Sequence, residues 1–266
     1  MQHSSPPGRE PAFNLPGALL LAILALLAIH GMRSLLPDQT DLRLVLDYGF
    51  LPGRWSVALG HASPDELVRA LSEGVSDDAF GELRESYARF VLARPGPHLW
   101  SFAAYAALHG SWAHVVLNCV WLAAFGAPVL RRLGPARTGF LALATAVGGA
   151  LAHWLANPLG LQPMIGASAV VSGLMAAAAL FAFDHPALPT PRGFAARMAR
   201  LAANRTALLF LASWLAINVV VGLLAEPLGI AGGAGIAWEA HIGGLIAGLL
   251  TFPFLDRRSD PLGPPA

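Results

Sequence analysis

The chain has 266 residues, 55% of them hydrophobic and 12% charged, with a formal net charge of +1. Soluble domains carry about 25% charged residues, so half that level, with long apolar runs, reads as an integral membrane protein in a lipid bilayer. The apolar content excludes disorder, the lone Cys119 excludes a disulfide scaffold, and the near-neutral charge points away from nucleic acid as a partner.

A helix needs about 20 mostly apolar residues to cross the hydrocarbon core. Six segments qualify, at 13–36, 99–130, 138–157, 164–183, 206–225 and 236–255. The predicted fold is therefore an all-α membrane protein. A six-helix bundle spans 13–255, with tails at 1–12 and 256–266 and a long first loop at 37–98. The first apolar run is too long for a cleaved leader and reads as a retained anchor.

Arginine placement orients the spans. The loop after the second holds Arg131, Arg132 and Arg137 with no acid. The loop after the fourth holds Arg192, Arg197, Arg200 and Arg205 against Asp184. Both are expected on the cytoplasmic side. The first loop carries six Arg against ten acids, a net −4, and is expected outside. Both termini are then cytoplasmic. Within the first loop, 64–92 reads as an amphipathic helical stretch, with Leu67, Leu71, Tyr87 and Val91 near helical spacing. It either lies on the bilayer or caps the bundle.

Polar residues inside a membrane are costly and usually face the bundle interior. Span two carries His109, His114 and Asn118, span four begins near Gly166-Ala167-Ser168-Ala169, and span six begins with Glu239-Ala240-His241. The six-span topology brings all three groups to one depth, on the outer side, as a single site requires. At about 100° per residue, His114 and Asn118 share a face and His109 points away from both. Ser168 lies at the first turn of its helix, near unpaired backbone N–H groups that suit an oxyanion. Gly166 permits close approach there. A serine nucleophile needs a base, and His241 is the candidate at the same depth. Glu239, two residues before it, falls on nearly the opposite helix face and is expected to serve the helix dipole or a loop contact. Asn218, mid-span five, reads as an interhelical hydrogen bond. Ser101, Ser111, Ser172 and Ser213 read as local backbone or neighbour contacts. His30, His61, His98, His153 and His185 read as interfacial.

These motifs resemble the rhomboid family of intramembrane serine proteases. His109 to Asn118 follow the family's H-x4-H-x3-N pattern, Gly166-Ala167-Ser168 its G-x-S, and Ala240-His241-Ile242-Gly243-Gly244 with Gly248 its A-H-x-x-G and G-x-x-x-G. The resemblance covers about 99–255 and extends to the first span and loop only in layout. It implies a Ser168–His241 dyad, with His114, Asn118 and the Ser168 amide binding the oxyanion. His109 would help hold the first loop, while Gly244 and Gly248 would let span six approach span four. It implies no metal or cofactor. The implied substrates are single-pass transmembrane proteins, and the implied location is a bacterial inner membrane. Spans two and five, with the loop at 226–237, would form the substrate gate. The rival reading is a proteolytically inactive relative that binds transmembrane helices.

Three residues depart from the family pattern. Ala169 stands where Gly usually follows the serine. Its methyl either crowds the oxyanion pocket, in which case Ala169→Gly raises turnover, or is accommodated. Trp100 is followed by Ser101 rather than Arg, so a loop-stabilising arginine is expected to be missing. Ser172 stands where some members place an aromatic against the base.

Overall fold

In a computed structural model of the chain, the described residues are 15–72, 78–93, 98–184, 191, 193–224 and 237–256. Every named element among them is helical, and the one β pairing is an isolated antiparallel bridge between Phe50 and Met164. The tail at 1–12, residues 257–266, His185 and most of the loop at 226–237 lie outside the described residues.

α1 (Gly17–Arg33) is the first apolar helix, closed by the Ser34 hydroxyl donating to the His30 carbonyl at 2.9 Å. The first loop folds into four helices: α2 (Asp38–Tyr48), α3 (Pro52–Ala58), α4 (Pro64–Ser72) and α5 (Asp78–Leu92). Ser63 and Glu66 form a reciprocal cap at the start of α4. The Ser63 amide donates to Glu66 at 2.6 Å and the Glu66 amide donates to Ser63 Oγ at 3.2 Å. The amphipathic stretch is thus two helices rather than one. Its apolar side buries Leu67, Ala88 and Val91 against Leu46, Leu51 and Leu161. Of the two readings for this stretch, capping the bundle is the one the packing supports.

Span two differs from expectation at its start. The segment begins with α6 (Ser101–Ala104) and a 3-10 turn at Tyr105–Ala107. Residues 108–111 are then non-helical, and α7 (Trp112–Trp121) opens only after Ser111, whose Oγ accepts from the His114 amide at 3.2 Å. Gly110 and Ser111 are poor helix formers, and a serine N-cap favours a fresh start over continuation. A π-turn at Leu122–Gly126 leads into α8 (Ala127–Leu133). Pro128 cannot donate to the carbonyl four residues earlier, which fits a widened turn before it.

The remaining helices are α9 (Pro135–Ala156), α10 (Ser168–Ala182), α11 (Phe194–Ala203), α12 (Arg205–Leu224) and α13 (Trp238–Leu255). Among the described residues, four apolar stretches are long enough to cross a bilayer: Trp112–Leu133, Pro135–Ala156, Arg205–Gly222 and Trp238–Leu255. α1 and α10 are apolar but shorter, at 17 and 15 residues. α10 is the central post, buried along nearly its whole length. α13 lies against both α9 and α10. α12 is the least enclosed: Leu209 and Ile217 are 58% and 60% exposed, as lipid-facing side chains should be.

The basic loops meet at one end of the bundle. Asp256, just past α13, accepts from Arg132 at 2.8 Å and Arg197 at 2.6 Å. Arg137 donates to the Leu255 carbonyl at 3.3 Å. The loops after spans two and four and the end of span six therefore share one side, as alternating topology demands. Burial alone would raise the Asp256 pKa, but hydrogen bonds from Arg132 and Arg197 outweigh it and hold the carboxyl below its usual range. Its contribution to stability is present above the unfolded-state pKa of about 3.9 and is lost as pH falls through the lower folded value. Asp256→Asn removes the charge both guanidinium groups share and should cost about 3 kcal/mol. Unfolding midpoints in detergent between pH 7 and pH 3 should fall for the native chain, whereas the variant should begin lower and lose part of that acid-dependent fall.

Candidate active site

Four backbone contacts fasten the approach to Ser168. Phe50 and Met164 exchange both amide hydrogen bonds, at 3.0 and 2.8 Å. The Gly166 amide donates to the Tyr105 carbonyl at 3.0 Å, and the Ala167 amide donates to His109 Nε2 at 3.3 Å. Gly166 takes φ +124°, in the region glycine favours. A Cβ there would stand 2.7 Å from His114 Nε2 and 3.9 Å from Ser168 Oγ. The missing side chain is therefore the space that His114 and Ser168 share.

Ser168 is the first residue of α10, where the amides have no partner within the helix. Its Oγ lies 2.7 Å from His241 Nε2 on α13. His241 Nδ1 lies 2.5 Å from Asn218 Oδ1 on α12. Asn218 thus makes the interhelical bond expected of it, and the partner is His241. Nothing in the spacing of the two residues announced that pairing. The available signal was an amide in mid-span, which needs an interior partner. Glu239 faces elsewhere: it accepts from Asn157 at 3.2 Å and stands 3.6 Å from His153, both at the end of α9.

His114 sits on the first turn of α7 and its Nδ1 accepts a long bond from the Gly110 amide at 3.5 Å. That leaves Nε2 as the N–H, on the side of Gly166. Asn118, one turn on, is buried and donates one amide N–H to the His114 carbonyl at 3.0 Å. Its Nδ2 carries a second donor. His109 departs from expectation. It lies before α7 rather than on it, so helical phase does not apply, and its ring packs edge-on against His114 at 5.0 Å between centroids. Its carbonyl accepts from Arg33 at 2.9 Å, and Arg33 also holds Asp41, joining the site to α1 and α2.

Ala169 has a definite place. Its methyl points at Gly149 of α9, where a second Cβ would collide with it, and it lies in an apolar cluster with Tyr105, Ala146 and Ala240. Of the two outcomes open for that methyl, accommodation is the one the packing favours. Ser172 donates to the Ser168 carbonyl at 2.9 Å, a local backbone contact as expected. A Cβ on Gly244 would run into the Ala169 carbonyl, and one on Gly248 into the Gly173 backbone, so both glycines hold span six on span four.

The expected lack of a loop arginine is overturned. Arg54 is buried within the first loop and donates to the Leu46 carbonyl at 2.8 Å, with His98 Nδ1 at 3.0 Å. It enters from α3 rather than from beside Trp100, whose indole donates to the Asp47 carbonyl at 2.9 Å. His30 is also not interfacial: it is buried edge-on against Trp112 at 4.8 Å.

The fold and these contacts define a class: an all-α integral membrane bundle that brings a serine and an imidazole together from two spans. The family model described as the Rhomboid domain matches residues 96–258, more than half of the chain. The chain belongs to the rhomboid family, whose members are in general serine intramembrane proteases. The matched region leaves α1 to α5 outside it. No curated protein matches the chain.

Ala169→Gly should lower stability by about 1 kcal/mol, from helix propensity and the methyl lost against Gly149. It should not raise turnover. Thermal unfolding in detergent measures the first, and cleavage rates relative to the native chain measure the second.

Proposed function

We propose that the chain is a serine endopeptidase that cleaves peptide bonds in or near transmembrane segments of membrane proteins. The observation that carries this reading is the 2.7 Å contact between Ser168 Oγ and His241 Nε2. The two residues are 73 apart in sequence and lie on separate helices. Ser168 Oγ adds to the scissile carbonyl carbon as His241 Nε2 accepts its proton. The carbonyl oxygen becomes an oxyanion beside the first turn of α10. The Ser168 amide, His114 Nε2–H and the second N–H of Asn118 are the donors that receive it. Collapse breaks the C–N bond, and the leaving amine takes the proton from Nε2. Water then hydrolyses the acyl-serine with the same base. No step calls on a metal or a cofactor.

The short α10 supports a buried site. Fifteen helical residues rise about 22 Å, against about 30 Å of hydrocarbon core. With its far end at one boundary, Ser168 sits about 8 Å below the other. A substrate helix must therefore present its bond within the membrane rather than above it. The arginine distribution favours cytoplasmic termini and a site that opens to the external side of a bacterial inner membrane. The non-cutting alternative drew on Ala169. With that methyl seated against Gly149, no observation favours it.

Fluorophosphonate labelling of the detergent-solubilised protein tests the dyad. The native chain should label, and Ser168→Ala and His241→Ala should not, with unfolding midpoints retained. An unlabelled native chain that is folded would reject the protease reading. For the oxyanion donors, His114→Ala and Asn118→Ala should each lower kcat for a transmembrane substrate by about 10²–10³ with a smaller change in KM. Equal losses in binding and turnover would argue that these residues only shape the pocket.

A further inference from the structure

His241 has two ring nitrogens, and a base must present the unprotonated one to Ser168. Nε2 faces Ser168 Oγ, so the neutral ring must carry its proton on Nδ1. In water a free imidazole populates both tautomers, and the group beside the other nitrogen selects between them. Here that group is Asn218 Oδ1, at 2.5 Å from Nδ1.

A side-chain amide is ambiguous on its own, because either end can face a ring nitrogen. Asn218 is not free to turn. Its Nδ2 donates to the Trp214 carbonyl at 2.8 Å, one turn back on α12. An NH₂ group must face that carbonyl, so the oxygen must face His241. An acceptor facing Nδ1 requires Nδ1–H. The chain therefore runs in one sense: His241 Nδ1–H donates to Asn218 Oδ1, and Ser168 Oγ–H donates to His241 Nε2.

We infer that Asn218 is the positioning residue of the base, an uncharged third member that fixes the His241 tautomer and ring plane from α12. This rests on the protease reading above. Asn218 touches neither substrate nor oxyanion. When Ser168 adds to the carbonyl, its proton moves to Nε2, and Nδ1 keeps its own proton against the amide oxygen throughout. An amide suits this depth better than a carboxylate, because an ionised group desolvated in hydrocarbon costs far more than a neutral one. No other described residue hydrogen-bonds to Nδ1, and the ionisable groups that act on His241 are His114 on α7 and Glu239 on its own helix. Ser172, one turn along α10, bonds to its own helix and leaves the ring to Asn218.

The test uses the full chain in detergent with a fluorophosphonate probe and histidine labelled with ¹⁵N. The native chain should show His241 as the Nδ1–H tautomer. Asn218→Leu, which keeps the branching at Cγ and suits a lipid-facing helix, should spread His241 over both tautomers and slow labelling by about 10-fold or more. KM for a transmembrane substrate should change little while kcat falls. Asn218→Asp keeps an acceptor in place and should restore the Nδ1–H tautomer and much of the labelling rate. Should Asn218→Leu fail to fold, Asn218→Ala serves for the same readings. Labelling at the native rate, or an unchanged His241 tautomer, in a folded variant without the amide would overturn the assignment. If the native chain itself does not label, the protease reading fails instead, and the two failures are thereby distinct.

Discussion

Close backbone contact between α13 and its neighbours α9 and α10 is the constraint on which the site depends. Lipid tails are as apolar as leucine, so helices in a bilayer gain little by hiding apolar side chains from lipid. They gain by packing backbones closely, and small residues permit that. Gly243 meets Gly148 across α13 and α9, while Gly244 and Gly248 rest on the backbone of Ala169 and Gly173 in α10. Ala169 in turn fills the space that Gly149 leaves. A larger residue at any of these points would push α13 outward. His241 stands three residues before Gly244, on the same helix, and would move with it. The short Ser168–His241 contact is thus a product of six glycines and one alanine.

The same economy governs the polar groups. Few backbone or side-chain donors in this interior lack a use, because water is not at hand to satisfy them. The non-helical residues 108–111 interrupt a membrane helix, which is tolerated where the freed polar groups find partners. Here the break is answered by Ser111 capping α7 and by Arg33 donating to the His109 carbonyl. The segment leading to Ser168 is likewise non-helical, and Phe50, Tyr105 and His109 satisfy it. Two irregular strips of backbone lie side by side at the site. Each strip leads into a helix start, and the first-turn residues His114 of α7 and Ser168 of α10 border the space left at Gly166.

How much of this was legible in the sequence depends on the type of signal. Apolar length found the long helices, and arginine placement grouped the loops that gather around Asp256. Spacing within single motifs singled out Ser168, His241, His114 and Asn118, and the fold brings Ser168 to His241 and His114 to Gly166. What escaped was contact between motifs that no periodicity links. Arg54 lies 44 residues from His98, and only the folded cap brings them together. His109 fell within an apolar run, so helical phase was applied to it. Gly110 and Ser111 were the local clue that the helix starts later. Ala169 was ambiguous because one residue type cannot say which way its methyl points. Gly149, also in the sequence, settles the direction only once α9 lies beside α10.

Asn218 shows how far cost alone can carry an inference. A mid-span amide in an otherwise apolar helix demands a partner, and the topology narrows that partner to the polar groups at its depth. Of these, Ser168 faces His241 through Nε2, and Glu239 is engaged with Asn157 and His153 at the end of α9. The Nδ1 edge of His241 is the group left needing an acceptor. Many apolar side chains of α12, among them Leu208, Leu209, Ile217 and Val220, are exposed, as on a lipid-facing helix. The bond from Asn218 therefore does two things at once: it satisfies the amide and ties α12 to His241. In such an arrangement the docking of α12 and the readiness of His241 are one equilibrium, because a single hydrogen bond belongs to both.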